Sequence, residues 1–163
     1  MNTNSKIKKI FKFLGSLVGL FLIIAIIFAL YKHIYPLPMG IHSTVSRSLL
    51  SGKAINGYDP VAFFKENKAV KGNKETSYDW NSAKWYFSSQ ENLDLFKNDP
   101  GKYAPQYGGY CAFAVVNGFS AEADPESFEI IDDKLYLCAN PEIKDDFKKE
   151  GAEAIKKANE NWK

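Results

Sequence analysis

Two cysteines carry most of the chemistry this chain offers. Cys111 closes the run Tyr107-Gly-Gly-Tyr-Cys111, and Cys138 closes Lys134-Leu-Tyr-Leu-Cys138. Gly108 and Gly109 permit positive φ or a close backbone approach, so Cys111 is expected just after a tight bend. Tyr103, Tyr107, Tyr110 and Phe113 supply rings around it, and Tyr107, Gly108, Gly109 and Tyr110 are the candidate lining of a small pocket beside the thiol. A thiol held in this way serves as a reactive redox (catalytic) group, as a soft-metal ligand, or as a small core filler. No histidine or basic residue stands within five positions of Cys111, so activation of its thiol requires a partner from elsewhere in the fold.

Cys138 is the second candidate ligand or redox partner. A bridge to Cys111 would close a loop of about 27 residues and stabilise by about 3–4 kcal/mol in the chain-entropy account. Spacing alone leaves a disulfide, two independent thiols and a two-thiol copper-type site all open. Met39 and His42 form a Met-x-x-His spacing that suits copper, but in a segment expected to be a flexible tether. The only other histidine is His33, so a Ser-His-Asp arrangement is excluded. Nothing has the spacing of a phosphate loop, a dinucleotide fold or a closed zinc site. With no visible general base, the residues leave open whether the chain is an enzyme.

The elements that must position these groups read as α+β in one small domain of two hairpins and several helices. Ala54-Ile55 is expected as a short strand before a turn at Asn56-Gly57. Asp59 then caps a helix through Val61, Phe63 and Phe64, with Pro60 at its first position. Thr76 to Trp80 and Ala83 to Phe87 form a hairpin about Asn81-Ser82. Ser88 or Ser89 caps a helix from Gln90 to Lys97 that Asp99-Pro100-Gly101 stops. Residues 111 to 116 are apolar and short, so periodicity does not separate helix from strand. Phe128 to Ile131 and Lys134 to Cys138 make a second hairpin about Asp132-Asp133. Asn140-Pro141 opens a last helix, with Ile143, Phe147 and Ile155 inward and an interruption at Gly151.

The 163 residues are 45% hydrophobic and 15% aromatic, enough for a packed core. The formal net charge is +2, but from Thr44 onward 16 basic residues face 19 acidic ones, a net of −3. That balance leaves no electrostatic footprint for nucleic acid, which is excluded as a partner. The remaining positive charge is N-terminal. Lys6, Lys8, Lys9 and Lys12 precede an uncharged, almost wholly apolar run from Phe13 to Tyr31. Nineteen residues at about 1.5 Å each approach the hydrocarbon thickness of a bilayer.

The expected organisation is therefore a cytoplasmic basic segment (1–12), a transmembrane signal anchor (13–33), a tether (34–52) and a domain over 53–163. The lysines place the N-terminus in the cytoplasm. The expectation is a single-pass protein of an inner or plasma membrane, with its C-terminal domain periplasmic or extracellular. Its partners would be the membrane through that helix, and a metal ion or another protein.

Several motifs in order resemble the YHS domain family. They are Gly57-Tyr-Asp-Pro-Val-Ala62, Trp85-Tyr-Phe-Ser-Ser-Gln-Glu-Asn92, Phe96, Asp99-Pro-Gly-Lys-Tyr103, Tyr107-Gly-Gly-Tyr-Cys111, Lys134-Leu-Tyr-Leu137 and Ala158-Asn-Glu-Asn-Trp162. The chain looks like the exported bacterial branch, with similarity from about Ala54 to Trp162. The resemblance implies a small binding module. Metal-binding members carry thiolates at three positions that here are Ala62, Ser88 and Asn92, so a site of that construction is expected to be absent. Soft-metal (copper) handling or thiol redox would fall to Cys111. Cys138 departs from the branch, whose counterpart is commonly Asn. The alternatives are a thiol oxidoreductase using Cys111 with or without Cys138, and a purely structural interaction module.

Overall fold

The computed structural model describes residues 3–31, 34–37, 44–47 and 52–162. The chain divides into Met1–Ile34 and Tyr35–Lys163. The first unit is one helix, α1 (Thr3–Tyr31). Its described side chains cover 16 positions, 15–30, and Leu17, Leu20, Phe21, Ile24, Ile27 and Phe28 are all exposed. No helix among the described residues is long and apolar enough to cross a membrane. The expectation over 13–33 is met as helix through Tyr31.

The second unit is α+β, as expected. Its elements in order are β1 (Tyr35–Pro36), a 3-10 turn (Ile55–Gly57), α2 (Ala62–Glu66), β2 (Asn73–Trp80), β3 (Ala83–Phe87), α3 (Gln90–Asn98) and α4 (Pro100–Tyr103). A second 3-10 turn (Gln106–Gly109) leads to α5 (Ala112–Val116), β4 (Phe119–Ser120), β5 (Asp124–Ile131), β6 (Lys134–Cys138) and α6 (Pro141–Asn161). The strands pair antiparallel as β1–β4, β2–β3 and β5–β6. Both hairpins turn at the anticipated dipeptides, with Asn81, Ser82, Asp132 and Asp133 all at positive φ. A two-residue turn with both central residues left-handed matches the strand twist, and Asn and Asp tolerate that conformation best.

The structure differs from the sequence reading at three places. Part of the segment expected as a tether is built into the globular unit: Leu37 and Val45 are buried, and Arg47 bridges Ala54. Ala54-Ile55 forms bridge and 3-10 turn rather than a strand, because Ile55 and Asn56 both take positive φ. Asp99-Pro100-Gly101 does not simply stop α3. Asp99 accepts from the Lys102 N–H at 3.1 Å and starts α4. Residues 112–116, where helix and strand were both open, are helical, and Ile143 and Ile155 pack partly buried against the core as expected.

Two apolar clusters fill the interior, and β6 runs between them. Leu135 and Leu137 join the first, with Phe63, Trp85, Phe87, Leu93 and Phe96. Tyr136 and Cys138 join the second, with Tyr107, Tyr110, Cys111, Val115, Phe147, Ala154 and Ala158. Alternate strand residues point to opposite faces, so Cys138 is turned toward α5 and α6 by parity alone. In the first cluster the Phe96 ring lies 5.2 Å from Trp85 and 5.3 Å from Phe87.

Candidate functional site

The chain reaches Cys111 through three consecutive left-handed residues: Tyr107 (φ 54), Gly108 (φ 63) and Gly109 (φ 82). A Cβ on Gly108 would sit 2.1 Å from the Thr44 carbonyl oxygen, and one on Gly109 2.7 Å from Ile55 Cγ2. Neither position admits a side chain, which is the physical content of the Gly-Gly pair. The bend delivers Cys111 to a parallel bridge with Leu137, while its N–H donates to Ala121 O at 2.9 Å. Cys138 is the residue after Leu137 on β6. The two thiols, 27 positions apart in the sequence, are thereby brought together.

Both are free and buried, Cys111 at 2% exposure and Cys138 at 0%. Each thiol acts on the other, and the two ionisations are driven apart. Cys138 donating to Cys111 is the largest influence on Cys111. Burial opposes it, and the backbone N–H groups of Ala114, Ala139 and Phe113 add to it, leaving Cys111 lowered to about 7. The Phe113 and Ala114 groups lie in the first turn of α5 and the Ala139 group directly after β6, and they act as dipoles, since Cys111 makes no side-chain cap bond. Cys138 is pushed well up, first by that shared hydrogen bond and then by burial and the Cys111 charge. The pair thus sheds one proton readily and holds the second.

Tyr107 and Tyr110 are both buried core residues around the pair. The Tyr107 ring stands 5.9 Å from Tyr136 and 6.0 Å from Trp162, and its hydroxyl donates to Asn159 Oδ1 at 3.1 Å. Burial, then the neighbouring Tyr136, raises the Tyr107 phenol. Asn161 Nδ2 donates to Val115 O at 2.9 Å and to Val116 O at 3.0 Å, holding the end of α6 on α5. The Met39–His42 spacing and His33 lie outside the described residues.

A second polar centre went unread in the sequence beyond its capping role. Asp59, 0% exposed, accepts from five donors. Oδ1 takes the N–H of Val61 at 2.8 Å and of Ala62 at 3.4 Å. Oδ2 takes Ser88 N at 2.8 Å, Ser88 Oγ at 2.7 Å and Asn92 Nδ2 at 2.7 Å. Asp59 does hold the start of α2, but the helix begins at Ala62 and not at Pro60, so the cap reading was met in part and incomplete. The signal was available: Ser88 and Asn92 are two of the three polar or small residues at thiolate positions of the resembled family.

Those residues do not fit a soft metal, since a methyl, a hydroxyl and an amide replace thiolates. Among the described residues no group of three or more His, Cys, Asp and Glu could hold a metal ion. The Cys111–Cys138 pair offers two sulfurs, which suits the low coordination of Cu(I) and falls short of zinc's four ligands.

The family model for the YHS domain matches residues 61–107. Comparison with curated proteins and with solved structures finds no match. The matched stretch runs from α2 through the second 3-10 turn and contains the Ser88–Asn92 segment and most of the first core. It ends four residues before Cys111. The chain therefore carries a YHS domain, and its thiol pair is set in the α5–β6–α6 portion that follows the matched segment.

Proposed function

We propose that this chain is a membrane-tethered, extracytoplasmic YHS-domain module of the exported type, whose working group is the Cys111–Cys138 pair acting as a two-thiolate site for a soft monovalent cation such as Cu(I). One observation carries the reading: two free, buried thiols from separate parts of the chain are brought together, because Cys111 bridges Leu137, the residue before Cys138. Soft thiolates select Cu(I) over harder cations, and a metal bound here would replace the shared proton. The pair's readiness to lose its first proton near 7 lowers the cost of that exchange. The tether is supported by the uncharged run from Phe13 to Tyr31 behind four lysines, and by the exposed apolar side chains of α1.

The test is a titration of the reduced full chain with Cu(I) against a competing chelator. One equivalent is expected to bind, and Cys111→Ser or Cys138→Ser is expected to abolish it. Equal binding by wild type and both variants would remove the metal reading.

A second reading rests on a different consequence of the same geometry. A thiol ionised near neutral pH is the nucleophile of disulfide exchange. Oxidation would join the two sulfurs and deliver two electrons and two protons to an acceptor disulfide, itself reduced to two thiols. Equilibration with glutathione buffers, followed by intact-mass measurement, is expected to give a reversible Cys111–Cys138 bridge. A chain that stays reduced across the whole buffer range would dismiss exchange.

A further inference from the structure

We infer that the matched YHS segment is metal-independent by construction, because the buried Asp59 carboxylate does the cross-linking that a metal centre would otherwise do there. The inference rests on the reading above only in assigning soft-metal chemistry to the thiol pair alone; its own basis is the Asp59 network.

The network joins three pieces of backbone. Asp59 Oδ1 fixes the start of α2 through Val61 and Ala62. Its Oδ2 fixes the end of β3 through both the N–H and the hydroxyl of Ser88. Asn92, on the first turn of α3, donates to Asp59 Oδ2 and also to Ser88 Oγ at 3.2 Å. One carboxylate thereby ties α2, β3 and α3 beneath the Trp85–Phe87–Phe96 core. A buried carboxylate without a cation is costly unless its lone pairs are filled, and here five donors fill them.

The same arrangement repels a cation. Metal sites are walled by lone pairs, whereas the groups facing this carboxylate are N–H and O–H dipoles with their positive ends inward. An ion entering would have to turn out donors that include three backbone N–H groups, which cannot rotate away without unwinding α2 or β3. The one buried side-chain atom left without a partner among the described residues is Asn92 Oδ1. It is a single neutral oxygen, too little to coordinate any ion by itself. Ala62, fully buried, adds only a methyl group.

The experiment uses the full chain with both thiols replaced, Cys111→Ser/Cys138→Ser, so that failure of the thiol reading cannot be confused with failure of this one. Metal content by elemental analysis after exposure to Cu(I), Zn(II) and Ca(II), and thermal melting with and without chelator, are the readouts. The expected result is no retained metal and superimposable melts. In the same background Asp59→Asn is expected to lower the melting midpoint by roughly 10 °C, since one amide cannot accept all five donors. Should that variant fail to fold, Asn92→Ala serves instead, with a smaller fall and still no metal dependence. A retained metal, or a midpoint that drops with chelator in the thiol-free chain and no longer does so after Asn92→Ala, would overturn the inference.

Discussion

Replacing Cys138 tests the electrostatics of the pair most directly. Cys138→Ala removes the hydrogen bond that is the largest cause of the lowered Cys111 pKa and leaves burial, which acts in the opposite sense. With the backbone N–H groups of Ala114, Ala139 and Phe113 still opposing burial, the Cys111 titration is expected to rise from about 7 toward the ordinary 9.0. At pH 7 the thiolate fraction would then fall from about one half toward about 1%, a change of up to about 3 kcal/mol. The assay is the thiolate absorbance of the reduced chain as a function of pH, paired with the iodoacetamide alkylation rate at fixed pH. Cys138→Ser supplies the control: a hydroxyl still donates, so Cys111 should stay near its wild-type midpoint while metal binding is lost. If Cys138→Ala leaves the Cys111 midpoint at its wild-type position, the shared hydrogen bond is not what lowers it, and the chemistry built on the pair fails.

Stability should depend on pH through the same two groups. Cys111, depressed on folding, contributes stability that is present above the unfolded value of 9.0 and lost as pH falls through about 7. Cys138, raised on folding, contributes in the other sense and loses its share as pH rises above that unfolded value. Denaturant midpoints should therefore climb from pH 7 to a maximum near 9 and then decline, and Cys111→Ser/Cys138→Ser should flatten the profile; an unchanged profile in that variant would assign the dependence to other groups. Gly108→Ala should cost about 3 kcal/mol in chemical denaturation, combining left-handed backbone strain with overpacking against Thr44 O. Gly118→Ala is the matched control. It also has positive φ (80°), but nothing lies within 4 Å of the added Cβ, so about 1 kcal/mol is expected. Equal costs at the two positions would refute the close-approach account.

Much of the framework was legible because it is set by local chemistry. Asn81-Ser82 and Asp132-Asp133 announce left-handed turns between apolar runs. Ser89 accepts from the Asn92 N–H at 3.1 Å and Asn140 from the Ile143 N–H at 2.8 Å, so both helix starts follow from the cap residue alone. Where the reading slipped, a distant partner decided. The serine-rich stretch after Pro38 has no period of its own, yet Val45 is buried and Ser46 N–H donates to Gly108 O at 2.8 Å. Residues 112–116 carry no periodic signal, and packing between β6 and α6 made them a helix.

For the candidate site the division is sharper. From the sequence come two cysteines, a Gly-Gly bend before one of them, a strand ending in the other, and the loss of thiolates at positions 62, 88 and 92. Those are properties of residue type and nearest neighbours, which the chain carries whatever its fold. That Cys111 and Cys138 come together, that one ionises easily at the other's expense, and that Asp59 gathers Ser88 and Asn92 were decided only when remote backbone segments met. Hydrogen bonds and desolvation act over a few ångströms, and sequence separation says nothing about which groups will come that close.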